Sequence, residues 1–290
     1  MLPQTDYVKA SSVAHALDML HQYGTGAAIL AGGTDLIVDM RERRREPTML
    51  VDISSVEELA EIDVSTGNIR IGAGVTVAGL AGSAIVQHQL PLVTEVTRHF
   101  ADYLTRNRAT IGGNLANASP GADLVPPLLA LNASVVLATA QGERTVDLND
   151  FLVGPRRTLL LWNELVRAIH IPTPVPRGQA YEKLGLRTGG AIAVVSCAVS
   201  MDQAGGECRR VRIGLGAVAP RAFRSSEAEQ IMEGHMFSND IAARAAEAAA
   251  NSSQPISDVR GSAEYRHAMV RALVERALHA AYERSSEPQE

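Results

Sequence analysis

The chain has 290 residues, 46% of them apolar and 20% charged, with a net charge of −5. Those values fit one large or two ordinary globular domains and argue against a surface built to track nucleic-acid phosphates. No apolar run approaches the roughly eighteen residues a membrane helix needs, and Asp6, His15 and Asp18 interrupt the N-terminal stretch, so a soluble, cytoplasmic protein without a membrane span is expected.

In chain order, residues 12–23 carry a serine cap followed by Val13, Leu17 and Leu20 at helical spacing. An apolar strand at 27–30 ends in Gly32-Gly33. The segment 34–45, with Leu36, Ile37 and Met40 at helical spacing, reads as a helix closing in basic residues. Further strands are expected at 49–53 and 69–74, and helices from Thr76 and over 92–103. A second glycine turn spans 110–114. After it, Ser119 as cap and Pro120 at the first position predict a helix running to about Leu131. Strands follow at 135–138 and 166–171.

Pro172, Pro174 and Pro176 then mark a domain boundary, giving domains of 1–174 and 175–290. Beyond it, 179–184, 191–201 and 208–218 are strand-like. The segments 238–251 and 262–282 are helical, the last with a packing stripe of Met269, Leu273, Ala277 and Ala280. Strands followed by helices predict an α+β C-terminal domain.

Two segments have the chemistry to hold a pyrophosphate. The first is Ile29, Leu30, Ala31, Gly32, Gly33, Thr34, Asp35 and Leu36. Paired glycines let backbone N–H groups converge on an anion, Thr34 adds a hydroxyl, and a helix follows with its positive end. The second is Thr110, Ile111, Gly112, Gly113 and Asn114, with Asp123 downstream, expected in the first turn of a helix, where it could accept from ribose hydroxyls or merely balance the helix dipole. Alone, such a segment reads more readily as a ligand-free turn. The pair is more informative, because a long, bent dinucleotide needs more than one cradle. A Rossmann fingerprint is missing, since Gly72-Ala73-Gly74 and Gly214-Leu215-Gly216 both lack the third glycine. Only two cysteines occur, Cys197 and Cys208, with no CxxC pair. The eight histidines have no metal-ligand spacing, so redox chemistry would fall to a bound organic cofactor or a partner.

LAGGTDLIVDM at 30–40, ATIGGNLANASPGAD at 109–123 and YEKLGLR at 181–187 together resemble the FAD-binding medium subunit of the xanthine dehydrogenase and carbon monoxide dehydrogenase family, the molybdenum hydroxylases. The resemblance covers nearly the whole chain. It implies an FAD-binding domain of two α+β subdomains, about 1–55 and 56–174, then a smaller C-terminal domain of a three-stranded sheet and helices. It implies that the two glycine segments wrap the FAD pyrophosphate. Asp123 would contact the ribose or adenine side, Leu165 or Val166 would pack on the adenine, and Phe100 and Lys183 would lie near the cofactor. Ile192, in a stretch (188–192) that departs from the family pattern, would be the bulky neighbour of the flavin. The partners implied are a large subunit with the molybdenum cofactor, a small [2Fe–2S] subunit, and an external acceptor such as NAD, a quinone or dioxygen. Two rival readings are a self-sufficient FAD-dependent oxidase and a flavin-free assembly subunit. The basic run Arg41, Arg43, Arg44 and Arg45 is either a dock for an acidic partner or a solvated helix end.

Overall fold

The computed structural model describes residues 4–187 and 189–286. Thr188, in the 188–192 stretch remarked on above, lies outside them. The first unit is β1 (Asp6–Lys9), α1 (Val13–Tyr23), β2 (Ala27–Leu30), α2 (Leu36–Arg41) and β3 (Met49–Asp52), with a parallel sheet in the order β1-β3-β2. The Ser12 hydroxyl accepts the N–H of His15 at the start of α1, whose Val13, Ala16, Leu17 and Leu20 are buried.

The second unit runs through β4 (Ile62–Ser65), β5 (Asn68–Gly72), α3 (Val77–Gly82), α4 (Ala84–Gln89), α5 (Pro91–His99), α6 (Tyr103–Arg106), α7 (Ile111–Asn117) and α8 (Val125–Ala130). It continues with β6 (Ser134–Thr139), β7 (Gly142–Asp147), α9 (Leu148–Phe151), β8 (Leu152–Gly154), β9 (Arg157–Thr158) and β10 (Leu165–Pro172). Its antiparallel sheet has the order β4-β5-β10-β6-β7. The largest hydrophobic core joins that sheet to helices α3, α4, α5, α7 and α8.

The third unit holds β11 (Gly178–Gly185), β12 (Ala193–Ala204), β13 (Glu207–Gly216), the two-residue β14 (Phe223–Arg224), α10 (Ser226–Met232), α11 (Asn239–Asn251) and α12 (Ala263–Ser286). Three long antiparallel strands are therefore followed by helices, as expected, with β14 a short addition at the sheet edge. Among the described residues no helix is long and apolar enough to cross a membrane.

Several local expectations are corrected. The helix expected from Ser119 begins only at Val125, and Ser119–Asp123 form turns. The proline signature holds one turn later, where Pro126 occupies the first turn and needs no N–H partner. The helix expected over 92–103 breaks at Phe100–Asp102, where Ala101 takes a φ of 36°. The helix after the first glycine turn stops at Arg41. Arg43 turns left-handed at a φ of 56°, and Arg44 folds back onto Asp39 and Glu42. The stripe on α12 that packs on the sheet is Val270, Leu273, Val274, Ala277, Leu278 and Ala281; Met269 and Ala280 are only partly buried.

α12 also carries a buried cation. The Arg266 side chain is 1% exposed and donates to the carbonyls of Val194 and Ala217 and to the Asp258 carboxylate, while its Nε has no partner. Hydrogen bonds from the Arg260 side chain and N–H, aided by Arg266, hold the Asp258 carboxyl well below the usual carboxylate range. A carboxyl with a depressed folded pKa contributes its stability above the unfolded value near 3.9, and loses it as pH falls from there through the folded value. Asp258→Asn is therefore expected to lower the thermal midpoint at pH 7, with the gap to wild type closing as the pH drops below about 4. Midpoints that stay equally far apart from pH 7 down to pH 2 would contradict this coupling.

Candidate functional site

A cleft of about 860 Å³ is lined by residues of the parallel-sheet unit and of the five-stranded unit, a volume within the range of small-molecule sites. Of the first glycine segment, Ile29, Ala31, Gly32, Gly33, Thr34, Asp35 and Leu36 line it. Leu30 does not, and packs with Met40 and Leu50 instead. Of the second, Thr110, Gly112, Gly113 and Asn114 line it, whereas Ile111 is fully buried in the main core. Phe100, Asp123, Leu165, Val166 and Ile192 also line the cleft. Lys183 lies behind it, joined to Asp123.

The two glycine segments look alike in sequence but differ in build. In the first, Gly33 takes a φ of +75°, and a side chain at Gly32 would place its Cβ 1.9 Å from the Arg108 carbonyl oxygen. The absent side chain at Gly32 thus lets this turn press backbone to backbone on Arg108 and Ala109, the lead into the second segment. Among the described residues, the N–H groups of Gly32, Gly33, Thr34 and Asp35 meet no acceptor within the protein. They form an unsatisfied donor set at the edge of the cleft, directly before α2. Such groups are costly to bury unpaired and are suited to an anion.

The second segment is not a turn but the opening of α7. Thr110 is the N-cap, its hydroxyl accepting the N–H of Gly113 at 3.1 Å. Ile111 N–H donates to Val75, Gly112 N–H to Ala73 and Asn114 N–H to Thr110. A Cβ at Gly112 would come within 2.5 Å of the Ala73 Cβ. These glycines serve close packing, and the backbone donors of Ile111 through Asn114 are already spent. What this segment offers a ligand is side chains. Asn114 is chief among them, with its buried Oδ1 lacking any hydrogen-bond partner.

Residues missed in the sequence tie these parts together. Arg156, at a φ of 55°, forks onto the Asp39 carboxylate of α2 at 2.9 and 3.2 Å and donates to Asn117 of α7 at 3.2 Å. Its own N–H donates to the Ala118 carbonyl. One guanidinium thereby holds the helices that follow both glycine segments. Asp35 lies in the same cluster. Burial pushes its carboxyl up, and Arg156 pulls it back. The pairing spans 117 residues between Asp39 and Arg156, so no local pattern announces it.

Asp123 and Lys183 form a 2.7 Å ion pair with side chains 10% and 7% exposed. Lys183 also donates to the His99 carbonyl at 2.9 Å, and the Tyr181 hydroxyl donates to Asp123 at 3.4 Å. The lysine is not the surface residue its type suggests. Asp123 lies outside any helix, just before the N-cap of α8. Burial raises its carboxyl above the usual range, against the pull of Lys183.

The family described as the FAD binding domain in molybdopterin dehydrogenase matches residues 3–174, and that described as the CO dehydrogenase flavoprotein C-terminal domain matches residues 179–281. The chain is 38% identical to the carbon monoxide dehydrogenase medium chain of Hydrogenophaga pseudoflava, covering 97% of this chain and 98% of that one. It is 39% identical to the 6-hydroxypseudooxynicotine dehydrogenase complex subunit alpha of Paenarthrobacter nicotinovorans, over 98% of this chain and 96% of the other. Its fold superposes on a chain of the solved carbon monoxide dehydrogenase from Hydrogenophaga pseudoflava that lacks the Mo-pyranopterin moiety, with a TM-score of 0.95, 39% identity and coverage of 98% and 99%.

Proposed function

The chain belongs to the FAD-binding flavoprotein subunits of the molybdopterin dehydrogenases, a family of oxidoreductases with FAD as cofactor, and from that premise we propose that it relays electrons from a [2Fe–2S] subunit to an external acceptor such as NAD, a quinone or dioxygen. A large subunit with the molybdenum cofactor would complete the complex. The residues of the cleft fit the cofactor. A free backbone donor set at Gly32–Asp35 faces the needs of a pyrophosphate, Asn114 holds an unpartnered buried oxygen, and the volume accommodates a dinucleotide. Thr34 and Thr110 would add hydroxyls, Phe100, Leu165, Val166 and Ile192 apolar walls, and Asp123 a carboxylate toward a sugar. Bound FAD supplies the redox chemistry, and the protein supplies position and electrostatics.

One observation favours a relay over a self-sufficient oxidase. An oxidase acting on its own substrate needs a poised base above the flavin. Here Asp39 and Asp123 are ion-paired, Asp35 lies beside the Arg156 guanidinium that pulls its carboxyl back, Glu164 is held by Arg144, and among the described residues no histidine lines the cleft. The family matches that stop at 174 and resume at 179 support dividing the chain into an FAD-binding part, 1–174, and a C-terminal part, 175–290. In the FAD-loaded complex, flavin absorbance is expected to bleach when the iron–sulfur subunit is reduced and to return when acceptor is added. Bleaching of the isolated chain by a small organic substrate would instead establish the oxidase.

A further inference from the structure

Between β9 and β10 the chain forms a strap, residues 159–163, whose backbone is anchored from below. The Arg144 guanidinium forks onto the buried Glu164 carboxylate at 2.7 and 2.8 Å and donates to the Leu159 carbonyl at 3.1 Å. Glu164 in turn accepts the Leu161 N–H at 2.9 Å. The strap so fixed holds Leu161 and Trp162 outward, 57% and 50% exposed, and both line the cleft. The indole lies parallel to the His21 ring at the end of α1, with centroids 6.5 Å apart and planes 21° apart. An ion pair anchored on the buried Glu164 carboxylate thus holds a large aromatic surface half-exposed at the cleft.

Such an arrangement suits a flat heterocycle, and a dinucleotide has two. The isoalloxazine ring carries two carbonyls and several ring nitrogens that need partners once buried. Adenine presents a smaller polar edge and a face that stacks well on indole. The strap and the strand that follows it give the cleft Leu160, Leu161, Leu165 and Val166, and the Glu164 carboxylate is already committed. The other polar groups of the cleft include Asp35, Asn114, Asn117 and Asp123, from the lead into α2, α7 and the turn before α8, with Arg157 and Thr158 on β9.

We propose that Trp162 is the platform on which the adenine ring of the bound dinucleotide stacks, making it a residue that selects FAD over FMN. The proposal rests on the FAD-binding reading above and adds a specificity determinant to it. Trp162 is the single tryptophan of the chain, so its emission reports on this position alone. ADP carries adenine and the pyrophosphate without the flavin, and is a clean probe because it accepts no energy from indole.

The full-length chain is titrated with FAD, FMN and ADP, following flavin absorbance and Trp162 emission. ADP is expected to quench the emission. Trp162→Ala is expected to weaken FAD and ADP binding by about 5- to 150-fold, the range of one base–aromatic stack, and to leave FMN affinity and the thermal midpoint of the flavin-free chain unchanged. Trp162→Phe should recover much of the loss, which also guards against a misfolded alanine variant. ADP binding that leaves the emission untouched, or FAD affinity unchanged in Trp162→Ala, would overturn the assignment while leaving FAD binding intact. A wild-type chain that took up no FAD yet showed quenching by ADP would remove the electron-relay reading and keep the stacking platform.

Discussion

Replacing Gly32 with alanine is expected to strip the chain of FAD and to cost about 3 kcal/mol of stability, at the upper end for a single overpacked position. The smallest side chain would stand 1.9 Å from the Arg108 oxygen and 2.6 Å from its carbonyl carbon. Neither is the end of a flexible side chain that could swing aside. Either the first glycine turn lifts off, carrying its four free N–H groups away from the cleft, or residues 108–109 shift and drag Thr110 with them. Both routes separate the donor set from Asn114, so cofactor and stability should fall together. Gly82, at the end of α3, meets nothing within 4 Å, and Gly82→Ala should be neutral or slightly stabilising by helix propensity. The measurement is flavin absorbance per protein together with the urea midpoint. A Gly32→Ala chain that keeps full flavin would show that the contact between the segments does not shape the site.

Lys183→Met is expected to be nearly as damaging, by a different mechanism. It leaves the Asp123 carboxylate largely buried with only the Tyr181 hydroxyl at 3.4 Å for company, and stranding one partner of such a pair typically costs about 3–5 kcal/mol. Burial already lifts the Asp123 carboxyl. Without the cation that lift grows, and the variant should regain stability as the pH falls and the carboxyl takes up a proton. Asp123→Asn combined with Lys183→Met should cost less than the lysine change alone, since no charge is then left unpaired. FAD affinity separates the roles. If Asp123 contacts the cofactor as proposed, the double variant stays weak in FAD binding even where its stability recovers. Stability losses that simply add would show that the two side chains do not act as a pair.

Much of the fold was legible because its signals are local. The apolar runs of β2, β3, β6 and β10, the Ser12 cap and the alanine-rich α11 each lie within one short window, and the first glycine turn falls where strand gives way to helix. The failures share a physical cause. Ser119-Pro120-Gly121 has the chemistry of a helix start, but Pro126 offered a competing one, and the chain used it. Gly112-Gly113 reads as a turn in isolation, yet opens a helix capped by Thr110, with Ala73 packed where a Cβ of Gly112 would stand. The ion pair that holds Lys183 behind the cleft has no local signal, because Asp123, sixty residues away, is invisible to any window. Arg156 and Trp162 were passed over for the same reason: their meaning resides in partners on α2, α7 and α1.

The spent backbone donors of the second glycine segment have a consequence for how binding free energy divides. α7 is capped, docked on residues 73–75 and hydrogen-bonded throughout its first turn with no ligand needed, so its ordering entropy is charged to folding. The N–H groups of 32–35 gain their partners only when an anion arrives, so ordering there is charged to association. Slow, tightening uptake of the cofactor should therefore reside in the first segment, which is the half to rigidify if a tighter flavoprotein were wanted.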